Sequence, residues 1–148
     1  MELSKMEPIV KRFYEGVAKG EYWGRKCPEC GAIEFPPHLM CNTCGNRDTE
    51  WVQLSGHGKL FSLVLPGIQN NKPYLKAEGK YGYGAVQMDE GPIYTFAVYG
   101  LTKKNRPELN RRIKAGETIG VHPKNVQRDG WTELCFELDD DVKESLKK

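Results

Sequence analysis

No stretch of this sequence approaches the roughly 20 consecutive apolar residues that cross a bilayer. Its longest uncharged apolar stretches, Leu60 to Asn71 and Gly91 to Thr102, are broken by glycine, proline or asparagine, so no membrane span is expected. An excess of one charge is missing too. Lys and Arg number 22 against 20 Asp and Glu, a net charge of +2 over 148 residues. A dedicated nucleic-acid binder carries a stronger basic excess, so nucleic acid is not an expected partner. Histidine is scarce, with three residues at 38, 57 and 122. No G-x-x-x-x-G-K-[ST] phosphate loop is present, and the glycine-rich Gly79-Lys-Tyr-Gly-Tyr-Gly84 precedes a strand rather than a helix. The start, MELSKMEPIVKRFYEG, mixes acids and bases without an apolar signal core. No secretory leader is read there, and a cytoplasmic location is the expectation.

Cysteine is where the sequence speaks. Four of the five cysteines form Cys27-Pro-Glu-Cys30 and, ten residues on, Cys41-Asn-Thr-Cys44, each knuckle followed by a glycine, Gly31 and Gly45. Two residues between ligands let one tight turn present both sulfurs to one metal, and the glycine permits positive φ as the turn closes. Two such knuckles are the pattern of a zinc ribbon. Disulfides do not suit the expected cytosolic setting, and a redox dithiol needs one C-x-x-C rather than two. Structural zinc is favoured, although a rubredoxin-type iron site uses the same four thiolates and spacing leaves it open. Four thiolates close the metal shell and leave no position for catalysis. His38, in the loop between the knuckles, therefore reads as a surface residue rather than a ligand.

Around the ribbon the pattern is mainly β. Pro8 and the spacing of Ile9, Phe13 and Val17 predict a short helix ended by Gly20, followed by a short strand over 21–26. Trp51 to Leu65 alternates about Gly56-His57-Gly58, as two strands or one bent strand. Residues 66–80 read as a loop, and strands follow at 81–88, 93–100, 119–122 and 131–138. Thr102 to Lys114 is polar, with room for a short helix. About five β segments with Gly-rich breaks suit a small closed barrel. The tail, 139–148, has acids first and bases last, an order that suits a helix dipole, though a frayed terminus is the expectation. The expected division is 1–26 helix and connector, 27–50 ribbon, 51–138 barrel and 139–148 tail.

Several residues invite a role. His57 sits at a bend without a nucleophile or orienting acid at suitable spacing, so a turn role is favoured over a general base. Asp89 and Glu90 are neighbours in a turn, and their side chains diverge. Cys135 lies in an alternating strand and reads as a small packing residue. Lys103, Lys104, Arg106, Arg111, Arg112 and Lys114 face only Glu108. They read either as a solvated loop or as contacts to an anion such as the phosphates of a nucleotide-like ligand. The aromatics Phe61, Tyr81, Tyr83, Tyr94, Phe96, Tyr99 and Phe136 allow a single-strand-binding barrel in principle. Strand alternation, however, turns many of them inward.

The order of these features resembles a known family. Phe13-Tyr-Glu-Gly-Val-Ala-Lys-Gly20, the knuckle at 27–31, Phe35-Pro-Pro37, the knuckle at 41–45 and Trp51-x-x-Leu-Ser-Gly-x-Gly58 follow one another. So do Asp89-Glu-Gly-Pro92 and Ala115-Gly-Glu before Ile119-Gly-Val121. They are similar to the zinc-ribbon and OB-fold proteins that accompany acyl-CoA enzymes, long known as a domain of unknown function. The resemblance implies an N-terminal helix, a rubredoxin-like ribbon and a five-stranded OB-type barrel, with zinc ligands at Cys27, Cys30, Cys41 and Cys44. It implies a non-catalytic subunit that stabilises a thiolase-like partner and its acyl-CoA channel, with coenzyme A at the shared site. An enoyl-CoA hydratase partner is the alternative, and aromatic degradation is one setting of such thiolases. The apolar group Phe13, Tyr14, Tyr22 and Trp23 is then a candidate partner interface, or packs the helix on the ribbon. Lys103, Lys104, Arg106, Arg111 and Arg112 are candidate contacts to the partner or to CoA phosphates. The Thr102–Lys114 connection is longer and more basic than is usual in this family.

Overall fold

The computed structural model describes residues 7–65 and 81–147; the loop expected over 66–80 lies outside the described residues. Helix α1 (Pro8–Lys19) starts with proline in its first turn and closes on Gly20, whose left-handed φ of 78° lets its N–H reach Val17 O while Glu21 N–H reaches Gly16 O. Both bonds satisfy carbonyls that a helix end leaves open. The helix buries Phe13, Gly16 and Val17; of the apolar spacing read from the sequence, Phe13 and Val17 are buried and Ile9 is half-buried. Strand β1 (Tyr22–Lys26) pairs antiparallel with β2 (Ile33–Glu34) on one side and β3 (Glu50–Leu54) on the other. The alternating stretch around Gly56 is thus two strands in different sheets. The first, β3, completes a sheet with the ribbon's β1 rather than with the barrel.

The barrel consists of β4 (Gly58–Val64), β5 (Tyr81–Met88), β6 (Ile93–Tyr99), β7 (Gly120–Arg128) and β8 (Trp131–Leu138), closed in the order β4-β5-β6-β8-β7. Only β6 and β8 run parallel; the other neighbours are antiparallel. Closure leaves the sheet without free edges along most of its length. Leu60, Val86, Met88, Val98, Val121 and Phe136 fill the interior. Strand β7 runs past His122, where the sequence suggested an end. Beyond Val121 it has only β8 as a neighbour among the described residues, and a proline's missing N–H is tolerated at such an edge. Helix α2 (Arg106–Lys114) joins β6 to β7 and plugs the barrel with the fully buried Leu109.

Helix and ribbon share the barrel's core. Edge-on or tilted ring contacts run from Phe13 to Phe35 (5.6 Å), Phe35 to Phe96 (6.2 Å) and Phe96 to Phe136 (4.8 Å). A second seam stacks the Arg12 guanidinium between Trp23 (5.0 Å) and Trp51 (4.6 Å), with Arg25 on Trp51 at 4.7 Å. Arg25 also donates to the Thr49 hydroxyl at 3.0 Å and to the Thr49 carbonyl. Contacts of this kind contribute about 0.5–2 kcal/mol each where water is partly excluded.

The tail is helical, as α3 (Asp140–Leu146), with Val142 buried. It docks because Asp139 N–H bonds Gly120 O (3.0 Å) and because His122 is held at both ring nitrogens. Nδ1 lies 2.7 Å from Asp139 and Nε2 lies 2.7 Å from Glu137. Glu137 also accepts from Lys143 at 3.3 Å. Burial disfavours the charged imidazole, but the two carboxylates outweigh it and raise the His122 pKa above its ordinary value. Burial likewise works against the Glu137 carboxylate, yet bonds from His122 and Lys143 hold its pKa below the usual range.

Two predictions follow from this packing. A raised folded-state pKa means His122 stabilises the fold fully below the unfolded value of about 6.5 and loses that contribution as pH climbs through the folded value. Glu137 contributes above the usual carboxylate value of about 4.3 and loses its share as pH falls through its depressed one. The melting-temperature gap between the native protein and His122→Gln should therefore shrink from about pH 6 to about pH 8.5; a constant gap would refute the pairing. Second, a methyl on Gly16 would lie 2.6 Å from Trp23 Cδ1 and 2.9 Å from Glu21 O. Alanine gains about 1 kcal/mol of helix propensity, but overpacking costs about 1–3 kcal/mol and moves the helix off the ribbon. Denaturant unfolding should show Gly16→Ala as less stable.

Candidate metal centre

The two knuckles repeat one geometry. Gly31 N–H bonds Cys27 O at 2.9 Å and Gly45 N–H bonds Cys41 O at 2.8 Å, while Cys27 N–H reaches Ala32 O and Cys41 N–H reaches Asn46 O, both at 2.9 Å. Each turn closes through a glycine in the left-handed region, Gly31 at φ 77° and Gly45 at φ 79°, a conformation that L side chains rarely adopt. Strand β1 delivers Cys27 directly into the first turn.

The four sulfurs lie within 4.8 Å of one another. Cys27 and Cys44 are 3.5 Å apart, as are Cys30 and Cys41. These separations are far longer than a disulfide's ~2.05 Å. They are close to the ~3.8 Å sulfur–sulfur edge of a tetrahedron with 2.3 Å metal–sulfur bonds. The group therefore fits a four-coordinate zinc with every position filled by protein. Cys27 and Cys41 are buried and Cys30 and Cys44 exposed, so one sulfur of each knuckle anchors the site to the interior. The backbone favours thiolates here. Donation from the Cys30 backbone, then from Glu29, draws the Cys27 thiol down to about 6, and the Cys44 backbone lowers Cys41. At Cys44 the Asn46 backbone favours the thiolate. The crowding sulfurs of Cys27, Cys30 and Cys41, together with burial, outweigh it and push the thiol up to about 12. Four such groups cannot all ionise side by side without a cation, which is the charge a divalent metal brings. Asn46 Nδ2 adds a contact to Cys27 Sγ at 3.7 Å, a link that orients a ligand.

His38 lies beside Glu34 at 4.0 Å on an exposed loop and is not in the sulfur group. Glu34 accepts instead from Asn42 N–H at 3.1 Å and so braces the span between the knuckles. His57 is exposed, with its carbonyl accepting Asp89 N–H at 3.0 Å. Cys135 is buried among Tyr81, Tyr99 and Val126. Of the seven barrel aromatics, Tyr81, Phe96, Tyr99 and Phe136 are buried, while Phe61, Tyr83 and Tyr94 remain exposed. Phe13 and Tyr22 are buried in the chain's own core, and Tyr14 and Trp23 are half-buried.

The basic stretch does not converge as one row. Glu108 binds Arg111 at 2.7 Å and Arg112 at 2.9 Å, and those bonds, Arg111's first, pull its carboxyl down to about 2. Lys104 and Arg112 turn instead toward α3, beside Lys143 and Lys147. Sequence reading missed these two C-terminal lysines, because only the packing of α3 brings them to α2. It also missed the bracketed His122, which the β7–β8 register sets directly opposite Glu137.

Residues 15–50 match the family described as "ChsH2, rubredoxin-like zinc ribbon domain". A "DUF35 domain-containing scaffold protein" of Pyrococcus furiosus is 34% identical over 70 residues, 47% of this chain and 49% of that protein. A "probable enoyl-CoA hydratase alpha subunit" of Thermomonospora curvata is 27% identical over 67 residues, 45% of this chain and 20% of that protein. Among solved structures, a chain of the "Ltp2-ChsH2(DUF35) aldolase" superposes with a TM-score of 0.65 at 18% identity, over 90% of this chain and 97% of that one. A DUF35 protein of unknown function from Sulfolobus solfataricus gives 0.60 at 15% identity, over 90% and 87%. The chain thus carries a zinc ribbon similar to that family's over residues 15–50, and its fold is that of the two DUF35 structures. The matched stretch spans about half the length of the Pyrococcus relative and a fifth of the Thermomonospora one. The structural likeness takes in the ribbon and the barrel together, whereas the family match falls on the ribbon and the residues flanking it.

Elemental analysis of the protein should find one zinc per chain, reduced to a small fraction in Cys41→Ser. A red, thiolate-to-iron charge-transfer spectrum would instead assign iron. Because metal binding here is folding free energy, stripping the metal should melt the ribbon's amide signals while barrel strands stay protected from hydrogen exchange.

Proposed function

We propose that this chain is a DUF35-type, non-catalytic, zinc-stabilised subunit of an acyl-CoA enzyme complex, ordering a thiolase-type partner and its CoA channel. In this reading Cys27, Cys30, Cys41 and Cys44 hold structural Zn²⁺, which fixes the shape of the ribbon and takes no part in bond making. The working units are the helix and connector (1–26), the ribbon (27–50), the barrel (51–138), whose leading strand β3 pairs with β1 of the connector rather than with the barrel, and the C-terminal tail (139–148), and the chain acts in the cytoplasm. Coenzyme A sits at the partner's site, and the reaction is thiolytic cleavage or condensation by the partner's own residues. Benzoylsuccinyl-CoA thiolase of aromatic degradation is the finer form of this reading. The observation that carries it is the ribbon itself. Residues 15–50 match a ChsH2-type zinc ribbon, four sulfurs converge there, and the chain is similar over about 70 residues to a protein named as a scaffold and to a probable enoyl-CoA hydratase subunit. The hydratase relative and the aldolase fold match favour one second reading, a hydratase- or aldolase-type partner.

The partner surface is centred on Tyr14 rather than on all four of Phe13, Tyr14, Tyr22 and Trp23, two of which are spent inside. Tyr14 meets Trp131 edge-on at 5.4 Å, and the two share a groove with Val10, Pro36, Pro37 and Tyr94. Tyr94 is about half exposed (51%), and aromatic anchors of this kind dominate binding where a partner excludes water.

Affinity purification of the tagged chain from its native host should recover a thiolase-, hydratase- or aldolase-like enzyme in near-equal amount. Reconstitution should restore turnover only when both are present. A chain recovered fully metallated but alone, or with nucleic acid, would overturn the subunit reading.

A further inference from the structure

A groove of about 720 Å³ lies between α2 and α3 at the end of the barrel, a size that takes a small molecule. Its floor includes Leu138 and Leu146. Lys104 and Arg112 stand on the α2 side, and Lys143 and Lys147 on the α3 side. Among the described residues the one carboxylate in the lining, Glu108, is already bound by Arg111 and Arg112. Lys143 is paired with Glu137 at 3.3 Å, and Arg112 donates to Ser145 Oγ at 2.8 Å. Lys104 and Lys147 have no carboxylate within ion-pair distance among the described residues. Both walls therefore carry the same sign across a concave surface, and such clefts concentrate counter-ions. The walls are fixed, since Leu109 of α2 and Val142 of α3 are buried in the core. An incoming anion pays little to organise them.

We infer that this groove binds a phosphorylated small molecule, its phosphates between Lys104, Arg112 and Lys147 and its less polar body over Leu138 and Leu146. A phosphate with two or more charges matches the shortage of acid in the lining, and the arginine held by Glu108 and Ser145 is set for a charge-assisted bond. Of the basic residues singled out in the sequence, only Lys104 and Arg112 reach this site. The inference rests on the acyl-CoA reading for the natural ligand alone, which would then be the phosphate-bearing nucleotide part of the thioester. The groove's affinity for phosphate does not need that reading.

The test uses the full zinc-loaded chain without partner, with pyrophosphate and adenosine 3′,5′-bisphosphate as probes and NaCl of matched ionic strength as reference. Both probes should raise the melting temperature and shift amide signals of α2 and α3. Lys104→Ala/Lys147→Ala changes two exposed side chains that hold no ion pair among the described residues and should melt like the native protein without ligand, while binding weakens about tenfold or more. No stabilisation beyond matched NaCl overturns the inference, and so does an undiminished shift in the double variant. Failure to recover a partner enzyme would overturn the subunit reading and leave this result untouched.

Discussion

Between Cys27 and Gly45 only one large apolar side chain, Phe35, is buried. That constraint governs the rest of the structure. A segment with so little apolar area cannot offset its own ordering entropy. It is held from inside by four converging sulfurs and from outside by a single ring docked on the helix and barrel. The knuckle glycines, the N–H groups aimed at sulfur and the Glu34 brace all serve to bring the sulfurs to one point. Without a cation, the crowding that pushes Cys44 up to about 12 would work against the same geometry.

Phe35 also explains why ribbon and barrel behave as one body. The ring path from Phe13 through Phe35 and Phe96 to Phe136 makes the apolar core continuous across all three parts. The Trp23–Arg12–Trp51 stack and the Tyr22 hydroxyl, which donates to Asn125 at 3.2 Å, close the same joint from other sides. A joint of this kind presents surfaces on the helix, ribbon and barrel in a fixed relation.

Much of this was legible in the residues. Local chemistry carried the knuckles: ligand spacing and the glycine after each second cysteine depend on one turn. The helix at 8–19 and most barrel strands were legible because burial imposes a period on apolar residues. What escaped depends on partners distant in the chain. Trp51 to Leu54 alternates like a barrel strand, and only pairing with Tyr22 to Lys26 assigns it to the ribbon sheet. The tail looked frayed because a seven-residue helix is marginal alone. The bonds from Asp139 to Gly120 and His122 that hold it span many residues. The groove's cations at 104 and 112 meet those at 143 and 147 through tertiary packing that no local pattern encodes.

The barrel's closing order has a consequence for biosynthesis. The ribbon's pairings are local, within Tyr22 to Leu54, whereas the barrel seals through Gly58 against Val121 and Val98 against Phe136. Contacts so far apart in sequence form late. As the chain leaves the ribosome, the ribbon can take up its metal while β8 is still unmade. Until β8 arrives, Phe13, Tyr14 and Phe35 lack the surface that will cover them. Such exposure is where nascent chains aggregate, so an early-metallated ribbon shortens the list of segments that need shelter.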